Sequence, residues 1–276
     1  MATFDKERTG APRGFFAAEA AGLKWLAEPD VVPVVGVVDQ DQNGLRLDRL
    51  EASAPDARSA FSFGRQLALL HDSGAPDFGW APAEPAWFGP LNSPFEVEVA
   101  SCATFTEFWV ECRLNPIAAA ISGSLSQDHQ SAITSAIDAI STGVFDGISG
   151  TGQEKPARVH GDLWSGNLMW TPGGCTLIDP AAHGGHRLED LAMLALFGTP
   201  HLEEIFTGYE AVHPMAEGWR DDLPVHNFFA LLAHVKLFGA GFLGQTLDAA
   251  RAIIDRAAEL EAGQLRQLSK TIRVEY

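Results

Sequence analysis

Residues Arg158 to Met193 read RVHGDLWSGNLMW, then TPGG, then CTLIDPAAHGG and HRLEDLAM. Three side chains stand out. Asp162 and Asn167 are spaced as D-x-x-x-x-N, and Asp179 closes the apolar run Cys175-Thr176-Leu177-Ile178. Taken singly, HGD is a turn, Asn167 a loop residue and Asp179 a strand-end cap, because short motifs recur by chance. Here the three fall in order, each in a matching context: strand then loop, strand end, and a helix start at HRLEDLAM. The TPGG between them reads as a short hairpin-like insert. That agreement favours a constructed site over three coincidences.

The arithmetic resembles that of protein kinases, which carry an Asp facing the attacking hydroxyl, an Asn five residues later and a second, metal-binding Asp. Phosphoryl transfer asks for charge neutralisation and little covalent help, so one acid meets the acceptor while oxygen ligands hold Mg²⁺ on the nucleotide. The resemblance narrows further. HGDLWSGN, IDPA and GHRLEDLAM are similar to the fructosamine kinase family, a branch of the aminoglycoside-phosphotransferase-like kinases. There the loop reads HGDLWSGN, the metal strand ends in DPA, and GHRE-x-DLAM follows. Leu188 and Glu189 depart from that last pattern. GYEAVHP, Gly218-Trp219 and LLAHVKLFGAGF extend the match, and Trp164-Ser165-Gly166 is the filling that separates this family from its relatives. The resemblance implies Asp162 as the catalytic acid and Asn167 with Asp179 as Mg²⁺ ligands. It also implies His160 ordering the loop, Trp164 supporting it, and Asp190 tying the DLAM helix to it. His183 and Gly184 stand where the family commonly has aromatics, which leaves the acceptor sugar open.

Upstream, Phe4-Asp5-Lys6 reads as a strand end and Phe15 to Ala27 as a helix with apolar residues on one face. The resemblance implies that Lys6 grips the ATP phosphates with Glu19 as its partner; position alone favours a frayed, solvated terminal lysine. Five residues precede Lys6 where a kinase N-lobe normally has two strands and a phosphate-covering loop. Either the natural chain starts earlier or this is a short variant with an open phosphate site, and weak ATP binding is expected of the chain as sequenced. Val31 to Val38 reads as an edge-like strand broken by Pro33 and Gly36. Leu45 to Leu50 reads as the next strand, and the resemblance places Asp48, Arg49 and Leu50 at the adenine hinge; an ordinary exposed strand satisfies the same pattern.

Helices are expected at Ser59 to His71, Thr104 to Leu114 (ended by Pro116) and Ser126 to Ile140. His71 reads as a structural helix-end residue. Gly74 to Ser101 reads as a long loop whose Trp80, Trp87 and Phe88 cover core or line a cleft mouth. Ser149 to Gly152 is a turn. Four helices follow, at His186 to Phe197, His201 to His213, Val225 to Phe238 and Leu247 to Leu268.

The 276 residues carry a formal charge of −17, which disfavours a nucleic-acid partner or an anionic membrane. Three cysteines without C-x-x-C spacing argue for buried thiols in a reducing compartment. No leader and no apolar run of membrane-spanning length is read, so the expected location is cytoplasmic. The expected fold is α+β: a two-lobe protein-kinase-like architecture with a reduced N-lobe over residues 1–50 and a mostly helical C-lobe over 51–276. The expected activity is ATP- and Mg²⁺-dependent phosphorylation of a small-molecule acceptor. By resemblance this is the sugar O3 of a ketosamine such as fructosamine or ribulosamine, a deglycation step. A kinase of aminoglycosides or amino-alcohols, and a weakly active nucleotide-binding protein, are the rival expectations.

Overall fold

The computed structural model describes residues 2–274, with side chains to residue 266. In chain order the elements are β1 (Thr3–Glu7), α1 (Phe15–Ala27), β2 (Val37–Gln40), β3 (Gly44–Asp48), α2 (Ala57–Asp72), β4 (Ala86–Phe88) and β5 (Phe95–Val97). There follow α3 (Phe105–Trp109), α4 (Asn115–Ile121), α5 (Gln127–Ser141), β6 (Ala157–Val159), β7 (Leu168–Thr171), β8 (Gly174–Leu177) and β9 (His183–Gly185). The chain ends in α6 (Leu188–Leu196), α7 (Leu202–Glu210), α8 (Leu223–Phe238) and α9 (Leu243–Val274). By packing they form two compact units. One holds residues up to Ala103 with Lys155–Pro214, the other Thr104–Glu154 with residues from Met215 on.

The first unit opens with an antiparallel sheet in the order β1-β3-β2. Its register sets Lys6 opposite Leu45. Cross-strand partners share a face, so Lys6 joins the side where Leu45 and Leu47 pack with Phe16, Ala20 and Leu23 of α1. The strand expected from Val31 begins only at Val37. Before it the chain crosses to β8: Val34 bridges Leu177, Val35 N donates to Leu177 O (3.1 Å), and Leu177 N donates to Pro33 O (2.9 Å). Pro33 lacks an N–H, but its carbonyl serves there.

Asp56 caps α2 by accepting from Ser59 N at 2.7 Å, so the helix starts ahead of the expected Ser59. α2 and α7 meet backbone to backbone. A Cβ on Gly64 would overlap the Ile205 carbonyl, and one on Gly208 the Phe61 carbonyl. The expected loop from Gly74 to Ser101 contains a hairpin instead, with Trp87 paired to Glu96 and Phe88 to Phe95. Trp87 packs edge-on to Phe15 at 6.3 Å and Trp80 against Trp25 at 5.1 Å, so both aromatics cover core. The α6 helix starts at Leu188 rather than His186. His183–Gly185 pairs with β6, and the Glu189 carboxylate reaches back to accept from His186 N at 2.6 Å.

In the second unit the helix expected to stop before Pro116 runs through it. Val110–Leu114 forms a π-turn joining α3 to α4. Pro116 cannot donate to the Cys112 carbonyl four residues back, and the Arg113 guanidinium donates there instead, at 3.1 Å. Ser126 caps α5 as expected. The last helix begins at Leu243, earlier than the expected Leu247. One helical stretch within Trp219–Arg266 is long and apolar enough by composition to cross a membrane, contrary to the sequence reading. Its residues Val225, Phe228, Leu231 and Leu232 are buried in the protein, as in a core helix.

Candidate active site

The first unit gathers Lys6, Glu19, Asp162, Asn167, Asp179 and Asp190. Lys6 Nζ lies 2.9 and 2.8 Å from the two Glu19 carboxylate oxygens and 3.2 Å from Asp179 Oδ1. Burial works against the charged ammonium, but the two carboxylates outweigh it and raise its pKa. Glu19 is pushed upward by burial, against the pull of Lys6. Asp179 adopts a left-handed backbone, φ 53°, which aspartate tolerates better than most residues. Its side chain stays 40% exposed, accessible to a ligand.

The Asn167 amide nitrogen donates to Asp162 O (2.7 Å), Asp162 Oδ2 (3.2 Å) and Asp179 O (3.4 Å). Its orientation is thereby fixed, with Oδ1 turned away from those three acceptors. Asp162 is half-buried. Withdrawal from water pushes its carboxyl up to about 7, the Asn167 bond opposing and the Asp179 charge adding to the rise.

Behind this group, Asp190 accepts from His160 N (2.8 Å) and Gly161 N (2.9 Å). His160 Nε2 lies 2.8 Å from Ile178 O, tying the loop to the strand that leads to Asp179. Gly161 has φ 81° and no room for a Cβ, which would overlap the Ala181 carbonyl. Burial opposes the Asp190 charge, yet His71 and the loop amides more than compensate and hold its pKa below the ordinary range. Trp164 covers the Cα of Gly166, is 41% exposed, and meets Phe197 edge-on at 6.5 Å.

The hinge candidates sit at the end of β3. Asp48 N donates to Gly36 O (2.9 Å) and Arg49 N to Ala2 O (3.0 Å), while Leu50 packs against the small sheet's core. The residues missed from sequence are Arg187 and Tyr209. Tyr209 is buried and its hydroxyl contacts His71 (2.8 Å) and Arg187 (3.0 Å). The available signal was a tyrosine on the same apolar helix face as Ile205 and Phe206, where a buried hydroxyl needs a partner.

The fold is that of the aminoglycoside-phosphotransferase-like kinases. The gentamicin complex of APH(2'')-IIa superposes with a TM-score of 0.57 at 11% identity, covering 94% of this chain and 84% of the other. The crystal structure of a "putative fructosamine-3-kinase" from Thermobifida fusca YX-ER1 superposes with a TM-score of 0.81 at 37% identity, covering 92% and 85%. "Probable ketoamine kinase YniA" of Escherichia coli (strain K12) is 33% identical over 247 residues, 87% of this chain and 80% of that protein. Residues 3–257 match the fructosamine kinase family, and the chain belongs to it. It is an ATP-dependent kinase.

Proposed function

We propose that the protein phosphorylates the O3 hydroxyl of ketosamines, sugar–amine adducts such as fructosamine or ribulosamine, in the cytoplasm. The observation that carries this reading is Lys6 held between Glu19 and Asp179, in the same unit as the Asp162–Asn167 pair. In this reading Glu19 orients Lys6 toward the ATP phosphates. Asp162 lies at the reacting centre, orients the acceptor hydroxyl and accepts its proton as the γ-phosphoryl group passes to that oxygen and ADP leaves. Asp48, Arg49 and Leu50 contact the adenine end, which assigns nucleotide recognition to residues 1–50 and acceptor recognition to later ones.

The donor chemistry suits Mg²⁺, which takes oxygen ligands and keeps several waters. Asn167, whose nitrogen is committed elsewhere, and the half-exposed Asp179 carboxylate are the residues that would hold it. Mg²⁺ there would neutralise charge on the transferring phosphates. Coupled ADP release with ribulosamine and fructosamine, against an aminoglycoside and an amino-alcohol, tests the acceptor. Turnover with ketosamines that EDTA abolishes is expected. Turnover only with an amino-alcohol or aminoglycoside overturns the reading.

A further inference from the structure

The hydrogen bonds continue beyond Asp190. His71 Nε2 lies 3.1 Å from Asp190 Oδ2, His71 Nδ1 2.8 Å from the Tyr209 hydroxyl, and that hydroxyl 3.0 Å from Arg187 Nη1. The same guanidinium nitrogen lies 3.1 Å from Asp72 Oδ1, which His213 Nδ1 approaches at 3.2 Å. Asp190, His71, Tyr209 and Arg187 are buried, whereas Asp72 is exposed at the end of α2.

The chemistry of these groups permits one direction. The amides of His160 and Gly161 can only donate, and so can Arg187. Asp190, ionised, can only accept. Burial keeps His71 neutral, so one ring nitrogen donates and the other accepts. Nε2 must therefore carry the proton and donate to Asp190. Nδ1 then accepts from the Tyr209 hydroxyl, whose oxygen accepts from Arg187. From Arg187 to Asp190 every bond runs the same way, inward toward the carboxylate, while Arg187 also donates outward to Asp72.

We propose that His71, Tyr209 and Arg187 are a positioning relay that fixes the Asp190 carboxylate and, through it, the backbone of the His160–Gly161–Asp162 loop. Through these hydrogen bonds the three act on the loop by way of Asp190, as positioning residues. Three elements remote in sequence supply the relay: α2 gives His71, α7 gives Tyr209, and Arg187 immediately precedes α6. The backbone contact of α2 with α7 at Gly64 and Gly208 brings the first two together. The kinetic consequence rests on the role proposed for Asp162; the ordering of the loop does not.

Tyr209→Phe keeps the ring and removes the hydroxyl. On the full chain, amide hydrogen exchange at His160 and Gly161 is compared with that of wild type, alongside steady-state kinetics with ATP, Mg²⁺ and a ribulosamine. Exchange at both amides should quicken about tenfold, and kcat should fall about tenfold, the consequence of losing one hydrogen bond of ordinary net strength. KM for ATP should stay within about twofold, since Lys6 and Glu19 are untouched. Nitrogen NMR should show His71 as the Nε2–H tautomer. Asp72→Asn, at the exposed end, is the second variant and should give a smaller increase at the same two amides. Unchanged exchange in both variants, an Nδ1–H tautomer, or a lowered melting temperature with kcat intact would each overturn the relay. If wild type turns over no ketosamine, the acceptor reading falls, and the exchange and tautomer measurements alone decide the relay.

Discussion

Lys6 and Asp179 meet at 3.2 Å, so a residue of the first strand and a residue two positions past β8 share one charge contact. Glu19, 6% exposed at its side chain, completes the triad with two further contacts to Lys6. One ammonium thus faces two carboxylates, a placed cation in a chain of overall charge −17.

Removing the lysine should reveal both functions of the triad. Lys6→Met leaves Glu19 buried without its partner, and such a break costs about 3 kcal/mol. The double variant Lys6→Met/Glu19→Leu should recover most of that loss in urea melts. Its ATP KM should nevertheless rise, or its kcat fall, by about tenfold or more. A double variant with wild-type kinetics would remove Lys6 from the phosphate site.

Asp162→Asn should abolish turnover, by about 10²-fold at least, with ATP affinity nearly unchanged. Its stability should move the other way. The folded carboxyl titrates near 7, above its unfolded value, so its contribution is present at low pH and lost as pH rises through 7. Without metal, the asparagine variant should therefore be more stable than wild type at pH 8 and no more stable at pH 4. Thermal melts in EDTA at the two values check the sign.

These two groups show what the chain discloses without a structure. The loop, the strand-end Asp179 and the Lys6–Glu19 pair are legible because each rests on a local motif or a family pattern. The relay is not, because His71, Arg187 and Tyr209 acquire roles only when α2, α6 and α7 pack. Local rules also failed where tertiary partners took over. Pro116 did not stop its helix, since a π-turn and Arg113 absorbed the lost bond. Val31 to Val35 did not form the expected strand, since the partner of this segment was β8 and not the neighbouring sheet.

His226, buried and stacked on Phe105 at 4.9 Å, is held near a pKa of about 3 by burial. Between about pH 6.5 and 3 the unfolded chain binds a proton that the folded chain refuses, so stability falls as pH falls. His226→Gln should flatten that dependence by up to about 1.4 kcal/mol per pH unit. Urea melts from pH 7.5 to 4.5 measure the slope, and an unchanged slope would count against the assignment.

Glycine positions predict opposite outcomes for one substitution. Gly208→Ala forces a methyl group into the Phe61 carbonyl and should cost about 1–3 kcal/mol. Gly263→Ala, within α9 and meeting the flexible Arg266 guanidinium at an ordinary 4.0 Å, should stabilise by about 0.5–1 kcal/mol. Denaturant midpoints for both variants decide it.

The contact at Gly64 and Gly208 has a mechanical side as well. Side chains between helices act as a cushion, since rotamer changes let one helix slide over another. Here main chain rests on main chain, and no rotamer is available to yield. A displacement of α7 must then carry α2 with it, and His71 travels with Tyr209 as a single lever arm.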